Sequence, residues 1–179
     1  MVQRLIDIGV RRSIIPWICN FLTGRRQCVT LGKVVSSWLN VSAGVPQWTK
    51  LGPILFLVMI NDLKLSSSSS TGCWKYVDDI TASEVVSVGV DSVFQSELDH
   101  VNTWASINYM CLNLKKCKEM TICLARKQFN PLPPLSIDNK KLENVQSYKV
   151  LGLTLQRKVP NGYISSVSSN VEVFRRMIY

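Results

Sequence analysis

Asp78 and Asp79 stand side by side between two short β-rich runs, residues 73–77 and 80–86. Adjacent carboxylates repel one another and aspartate is a poor strand former, so a hairpin gains little structurally from the pair. Asp-Asp also occurs in ordinary turns. Held at a tight tip and projecting toward solvent, however, the pair suits a divalent cation. Mg²⁺ takes one or two protein carboxylates and completes its shell with water and substrate phosphates. In two-metal phosphoryl transfer, ions about 3.5–4 Å apart activate the attacking oxygen and steady the leaving one. Carboxylates from at least two chain segments normally bridge them.

Charge along the chain agrees with a phosphate-bearing partner. The 179 residues hold 21 Lys+Arg against 12 Asp+Glu, a net charge of +9. Residues 1–64 carry eight basic residues and two acids, residues 65–110 one and six, and residues 111–179 twelve and four. An acidic island between basic flanks is the distribution a metal site acting on a phosphate chain needs. The plainer reading assigns four of the six acids to a surface helix and to a strand surface at Glu84, and leaves Asp78 and Asp79 unexplained. Apolar residues at 46% and charged residues at 18% exclude full-length disorder.

Six cysteines include no C-x-x-C pair, and His100 has no cysteine at metal spacing, so no zinc site is expected. Residues 1–12 show no signal-peptide pattern, which reads as reduced thiols in a nuclear or cytoplasmic, not secreted, protein. The longest apolar run, residues 51–60, is too short to span a membrane.

The elements that must position these residues alternate without regular βαβ units, giving an α+β class. Val2, Leu5 and Ile6 end one helix before Gly9, and Ser13 is placed to cap a second over residues 14–22. Residues 27–31 and 34–41 form a hairpin about Gly32-Lys33. A loop over residues 43–53 enters a helix to Leu65 that is apolar nearly all round, hence buried. Asp78-Asp79 is the two-residue hairpin connection. Val90, Phe94, Leu98, Val101 and Ala105 mark a helix over residues 90–107, with Glu97 and Asp99 facing away. Then come a strand over residues 119–124, a hairpin about Asp138-Asn139, a last strand over residues 148–155, and a basic helix over residues 163–179.

Tyr76-Val77-Asp78-Asp79 resembles the aspartate hairpin of reverse transcriptases. Gly44-Val45-Pro46-Gln47, followed by Leu51-Gly52-Pro53, resembles the preceding signature of non-LTR (LINE-type, jockey-like) retrotransposon polymerases. Trp104, Asn108, Met110, Leu112, Asn113 and Lys116 are similar to the segment after the aspartates, and Tyr148-Lys149-Val150-Leu151-Gly152 to its next strand. The marks follow the family's order over about residues 1–155.

The resemblance implies a right-hand polymerase that copies an RNA template onto a DNA primer from dNTPs with Mg²⁺. Residues 1–155 would be a partial palm, an antiparallel sheet with packed helices, and residues 156–179 a degenerate thumb start or tail. Asp78 would be the main metal ligand and Asp79 its neighbour. Residues 44–47 would lie along the nucleotide and template, with Tyr76 also at the substrate. Lys116 would sit near the triphosphate as a proton donor, and Leu151-Gly152 would hold the primer end.

Two departures set further expectations. The family's first aspartate segment, F-D-x-x-x-A-F-D, belongs before the helix of Leu5, where this sequence begins, so fingers and first aspartate are expected to be missing. Neither Asp7 nor Asp62 replaces it, and the chain is expected to be inactive alone. Trp48 stands where the family pattern has glycine, which admits close backbone approach to the nucleotide. The rival readings are a non-catalytic, basic nucleic-acid-binding remnant and an unselected pseudogene product.

Overall fold

The computed structural model describes residues 1–65, 71–87, 90–123, 132–157 and 173–178. The chain divides into two units, Met1–Asp62 and Leu63–Tyr179.

In the first unit α1 (Val2–Asp7) buries Leu5 and ends at Gly9, whose φ of +81° glycine adopts without strain. Helix α2 (Ile15–Leu22) carries Pro16 in its first turn. Ser13 does not cap it. The Ile14 and Ile15 N–H groups instead bond the Arg11 and Arg12 carbonyls, so a backbone turn leads into the helix. The hairpin about Gly32-Lys33 forms, but as two short ladders. Strand β1 (Arg26–Gln27) pairs with β4 (Leu39–Asn40), and β2 (Thr30–Leu31) with β3 (Val34–Val35). The registers differ by one residue, so the returning strand holds a bulge, where Ser36 Oγ accepts the Val29 N–H at 2.9 Å.

Helix α3 (Leu51–Ile60) is shorter and less buried than its composition predicts. Leu55 packs with Leu5, Ile15 and Ile18, whereas Ile54 and Leu57 are 55% and 45% exposed. Within this unit α1 and α2 cover one side only, and uniform hydrophobicity cannot say which. The chain leaves the helix at Asn61, and the Asp62 carboxylate accepts from Arg4 Nη2 at 2.6 Å and Nε at 2.8 Å.

The second unit opens with β5 (Thr71–Tyr76) and β6 (Asp79–Val86), an antiparallel pair, followed by α4 (Phe94–Ile107). Phe94, Leu98, Val101 and Ala105 are buried at the predicted spacing. The helix starts four residues later than expected because its entry is built from distant parts. The Glu84 carboxylate on β6 accepts from Ser92 Oγ at 2.6 Å and from the Val93 N–H at 2.8 Å. Glu84 is therefore interior (2% exposed) rather than strand surface, and Glu97, expected to face away, is also buried (3%). Buried carboxylates are tolerated where such donors meet them. Glu119 is a third case and accepts the Leu135 N–H at 3.0 Å.

Strand β7 (Lys118–Cys123) is followed by the hairpin β8 (Ser136–Ile137) and β9 (Lys140–Lys141), then β10 (Glu143–Asn144). The Asp138-Asn139 turn has φ of +49° and +61°, the left-handed pair that these residue types favour. The expected last strand is two strands, β11 (Ser147–Val150) and β12 (Leu153–Gln156), joined by Leu151-Gly152 at φ +46° and +88°. The expected C-terminal helix is replaced at residues 173–178 by strand β13 (Val173–Ile178); residues 163–172 lie outside the described residues. The principal sheet runs β10-β7-β13-β6-β5, antiparallel except for the β10–β7 ladder.

Under this sheet, Ala82, Phe94, Leu98, Cys117, Leu135, Ile137 and Leu142 form one cluster, and Leu63, Ile80 and Val101 another. No helix among the described residues is long and apolar enough to cross a membrane. Cys19, Cys28, Cys73, Cys111 and Cys117 are free thiols.

Burial pushes the Cys117 thiol up to about 11, against smaller opposing effects from Lys118 and its backbone hydrogen bond. A raised thiol favours the folded chain fully below the ordinary thiol value of 9.0 and loses that contribution as pH climbs toward 11. Iodoacetamide at pH 8 should therefore modify exposed Cys111 and spare Cys117, as read by peptide mass. The drop in unfolding midpoint between pH 9 and 11 should be smaller in Cys117→Ala. Equal alkylation of the two thiols would contradict this account.

Candidate active site

The aspartate hairpin closes one residue earlier than the sequence suggests. Tyr76 pairs with Asp79, so the two connecting residues are Val77 and Asp78, and Asp79 is the first residue of β6. Val77 has φ +53°, unusual for a β-branched residue, at a position where two-residue hairpins commonly place Gly, Asn or Asp. Such strain is of order 1–3 kcal/mol and persists where the surroundings enforce it. Asp78 is thereby exposed at the tip, and exposed Asp79 sits opposite Tyr76.

Trp74 pairs with Thr81, and with Lys75, Tyr76 and Asp79 they line a cavity of about 330 Å³. Tyr148, Lys149, Val150 and Leu151 complete its lining from the β11–β12 hairpin. Leu151 holds a left-handed φ where the matching Asp138-Asn139 turn uses residues suited to it. Two hairpin tips with ill-suited residues thus flank one cavity.

The structure therefore brings Tyr76, Asp79 and Leu151 together, with Gly152 in the same turn as Leu151. Lys116 is exposed on the turn before β7, its N–H bonded to the Asn113 carbonyl at 2.9 Å, and it does not line this cavity. Trp74 escaped the sequence reading, and Tyr148 entered it only as part of the matching strand, with no role at a site. Strand alternation exposes Trp74 once the hairpin register is known.

The other sequence-predicted residues belong to the first unit. Gly44 turns the chain at φ +74°, Val45 packs against the Leu5 cluster, and Gln47 is exposed. Thr49 Oγ1 donates to the Pro46 carbonyl at 2.9 Å and accepts the Gly52 N–H at 3.0 Å. A Cβ on Gly52 would lie 2.3 Å from the Pro46 oxygen, so no other residue fits there without moving the turn. Trp48 has φ +60° and is fully exposed.

One or two carboxylates are the usual protein share of a Mg²⁺ shell, and Asp78 and Asp79 are both exposed. Among the described residues no group of three or more His, Cys, Asp or Glu side chains could hold a metal ion. In the first unit, Asp7 accepts from Gln3 Nε2 at 2.8 Å and Asp62 pairs with Arg4.

The chain is 29% identical over 149 residues to the RNA-directed DNA polymerase from mobile element jockey of Drosophila melanogaster, covering 78% of this chain and 16% of that protein. Its counterpart from Drosophila funebris is 30% identical over 152 residues, covering 79% and 16%. The probable RNA-directed DNA polymerase from transposon X-element of Drosophila melanogaster is 26% identical over 145 residues, covering 78% and 16%. The chain thus spans about a sixth of the length of these curated relatives. No solved structure matches it. Residues 2–155 match the reverse transcriptase (RNA-dependent DNA polymerase) family, and the chain belongs to that family.

Proposed function

We propose that this chain forms part of the palm of a retrotransposon reverse transcriptase and carries the aspartate pair of a two-metal nucleotidyl-transfer site. The observation that carries the reading is the aspartate hairpin facing the Leu151-Gly152 hairpin across one cavity. Asp78, at the tip, is the principal ligand for a divalent cation, and Asp79 adds negative charge beside it. A cation held there would acidify the primer 3′ hydroxyl and offset charge building on the α-phosphate. Tyr76 and the Leu151-Gly152 turn hold the primer end against the hairpin. On the family resemblance, residues 44–47 of the first unit have a nucleotide-contacting role of their own, through backbone groups and Gln47. Lys116 is free to meet the departing pyrophosphate as an acid. Residues 1–155 are palm in this reading, residues 156–179 begin the thumb, and RNA template and DNA primer are the partners.

Asp78 and Asp79 cannot bridge two ions alone. The 179-residue chain should therefore extend no primer on an RNA template with Mg²⁺ or Mn²⁺, yet Mn²⁺ should selectively broaden the amide resonances of residues 76–80. Asp78→Ala should abolish that broadening. Template-dependent incorporation by this chain that vanishes in Asp78→Ala would refute the one-sided site, and broadening elsewhere would refute the metal assignment.

One observation favours a second reading, nucleic-acid binding without chemistry. No acid occurs between Asp7 and Asp62, whereas Arg11, Arg12, Arg25, Arg26, Lys33 and Lys50 do. The Arg26 guanidinium also lies 5.8 Å from the Trp38 ring centre, both side chains exposed, which suits a phosphate beside a stacked base.

A further inference from the structure

We infer that Arg25 is a positioning residue that fixes the Gly44-Val45-Pro46-Gln47 turn in the form that meets the nucleotide. The inference rests on the reading of that turn as a nucleotide contact. Arg25 is half-buried between three pieces of chain. Its Nε donates to the Leu22 carbonyl at 2.9 Å, and its Nη2 donates to the carbonyls of Ala43 at 3.3 Å and Gly44 at 2.5 Å. Its own carbonyl accepts the Val41 N–H at 2.9 Å. One residue thus joins the end of α2, the base of the hairpin and the entry to the turn.

The chemistry explains why arginine serves here. Leu22 is the last residue of α2, where carbonyls lack helical partners and a cation is favoured. A planar guanidinium holds its donors in a fixed fork and can serve carbonyls on both sides at once. An ammonium presents its three donors from one nitrogen and cannot reproduce that spread of donors. The Gly44 carbonyl needs such an anchor because glycine at φ +74° has little intrinsic preference for that conformation.

The exit of the turn is held separately by Thr49 Oγ1 and by the absence of a Cβ on Gly52. Residues 44–47 are therefore fastened at both ends, with Gln47 exposed and its backbone path set.

The test is hydrogen exchange on the full 179-residue chain, with dGTP titration followed by amide shifts of residues 44–48. In Arg25→Lys, which keeps charge beside Leu22, amides of residues 43–49 should exchange about tenfold faster, the loss of a charge-assisted hydrogen bond. Amides of α2 and α3 should change less than about twofold, the small drift expected at sites that keep their partners. The dGTP shifts should weaken in parallel. Unchanged exchange at residues 43–49 overturns the inference, and so does a rise shared equally by α2 and α3, which would make Arg25 merely structural. Faster exchange with no dGTP response in the unsubstituted chain would overturn the nucleotide role of the turn, while leaving the clamp itself in place.

Discussion

Trp48→Gly should raise single-nucleotide incorporation about a hundredfold in a chimera that joins this chain to the upstream polymerase segment of a jockey-type relative. The turn holding Trp48 is pinned by Arg25 before it and by Thr49 and Gly52 after it, so it cannot swing aside. The ring is fully exposed and packs on none of the described residues, and the backbone beneath it has φ +60°. The resemblance puts glycine at this place beside the nucleotide, so a two-ring side chain must invade that volume or distort the turn. A displacement of about 1 Å costs on the order of a hundredfold in rate.

Stability should move the same way, although large-to-glycine changes normally destabilise. A left-handed φ costs a non-glycine residue about 1–2 kcal/mol. Glycine's greater freedom in the unfolded chain costs about 0.5–1 kcal/mol in return. With no packing to lose, the balance is a gain of roughly 0.5–1 kcal/mol by the same figures, visible as a higher urea midpoint. Equal incorporation rates in the two chimeras would show that the indole points away from substrate.

Affinity of the chain for an RNA–DNA duplex should fall about a thousandfold between 50 and 200 mM salt, the loss expected when about six phosphates are neutralised. Arg11, Arg12, Arg26, Lys33 and Lys50 are exposed, as are Lys115, Lys116, Lys140 and Lys141. Arg25 is engaged with carbonyls and Lys118 is paired with Glu143, so neither should contribute fully. Arg11→Ala with Arg12→Ala should weaken binding to all sequences alike and reduce the salt slope by about 2. Binding indifferent to salt, or absent at low salt, would remove nucleic acid as the partner of these surfaces.

Particular residues show what the sequence made legible. Phe94, Leu98, Val101 and Ala105 announced α4 because a helical stripe is a local pattern. Asp138-Asn139 announced its turn because both residues tolerate a left-handed φ. Val77 and Leu151 concealed theirs for the converse reason, shifting the aspartate hairpin by one residue and merging two strands into one. Glu84 and Glu97 looked like surface residues, and at Glu84 the backbone donor that makes burial possible comes from nine residues further along the sequence. Of the cavity, the family resemblance supplied Tyr76, Asp79 and Leu151, while Trp74 needed the true register. Arg25 stayed hidden because carbonyl acceptors leave no mark on side-chain identity.

The place of β13 sets an order of events during synthesis. It pairs along its whole length with Thr81–Val86 of β6 on one side and with Lys118–Cys123 on the other. Both neighbours leave the ribosome well before it, separated from it by about fifty residues or more, a loop whose closure entropy grows only slowly with length but whose formation delays folding. Until residue 178 emerges, the strand behind the aspartates presents an unpaired inner edge, the kind that recruits foreign strands. The hairpin that carries Asp78 therefore acquires its full backing only at the end of translation of this segment, and a pause before that point leaves it most exposed to mispairing.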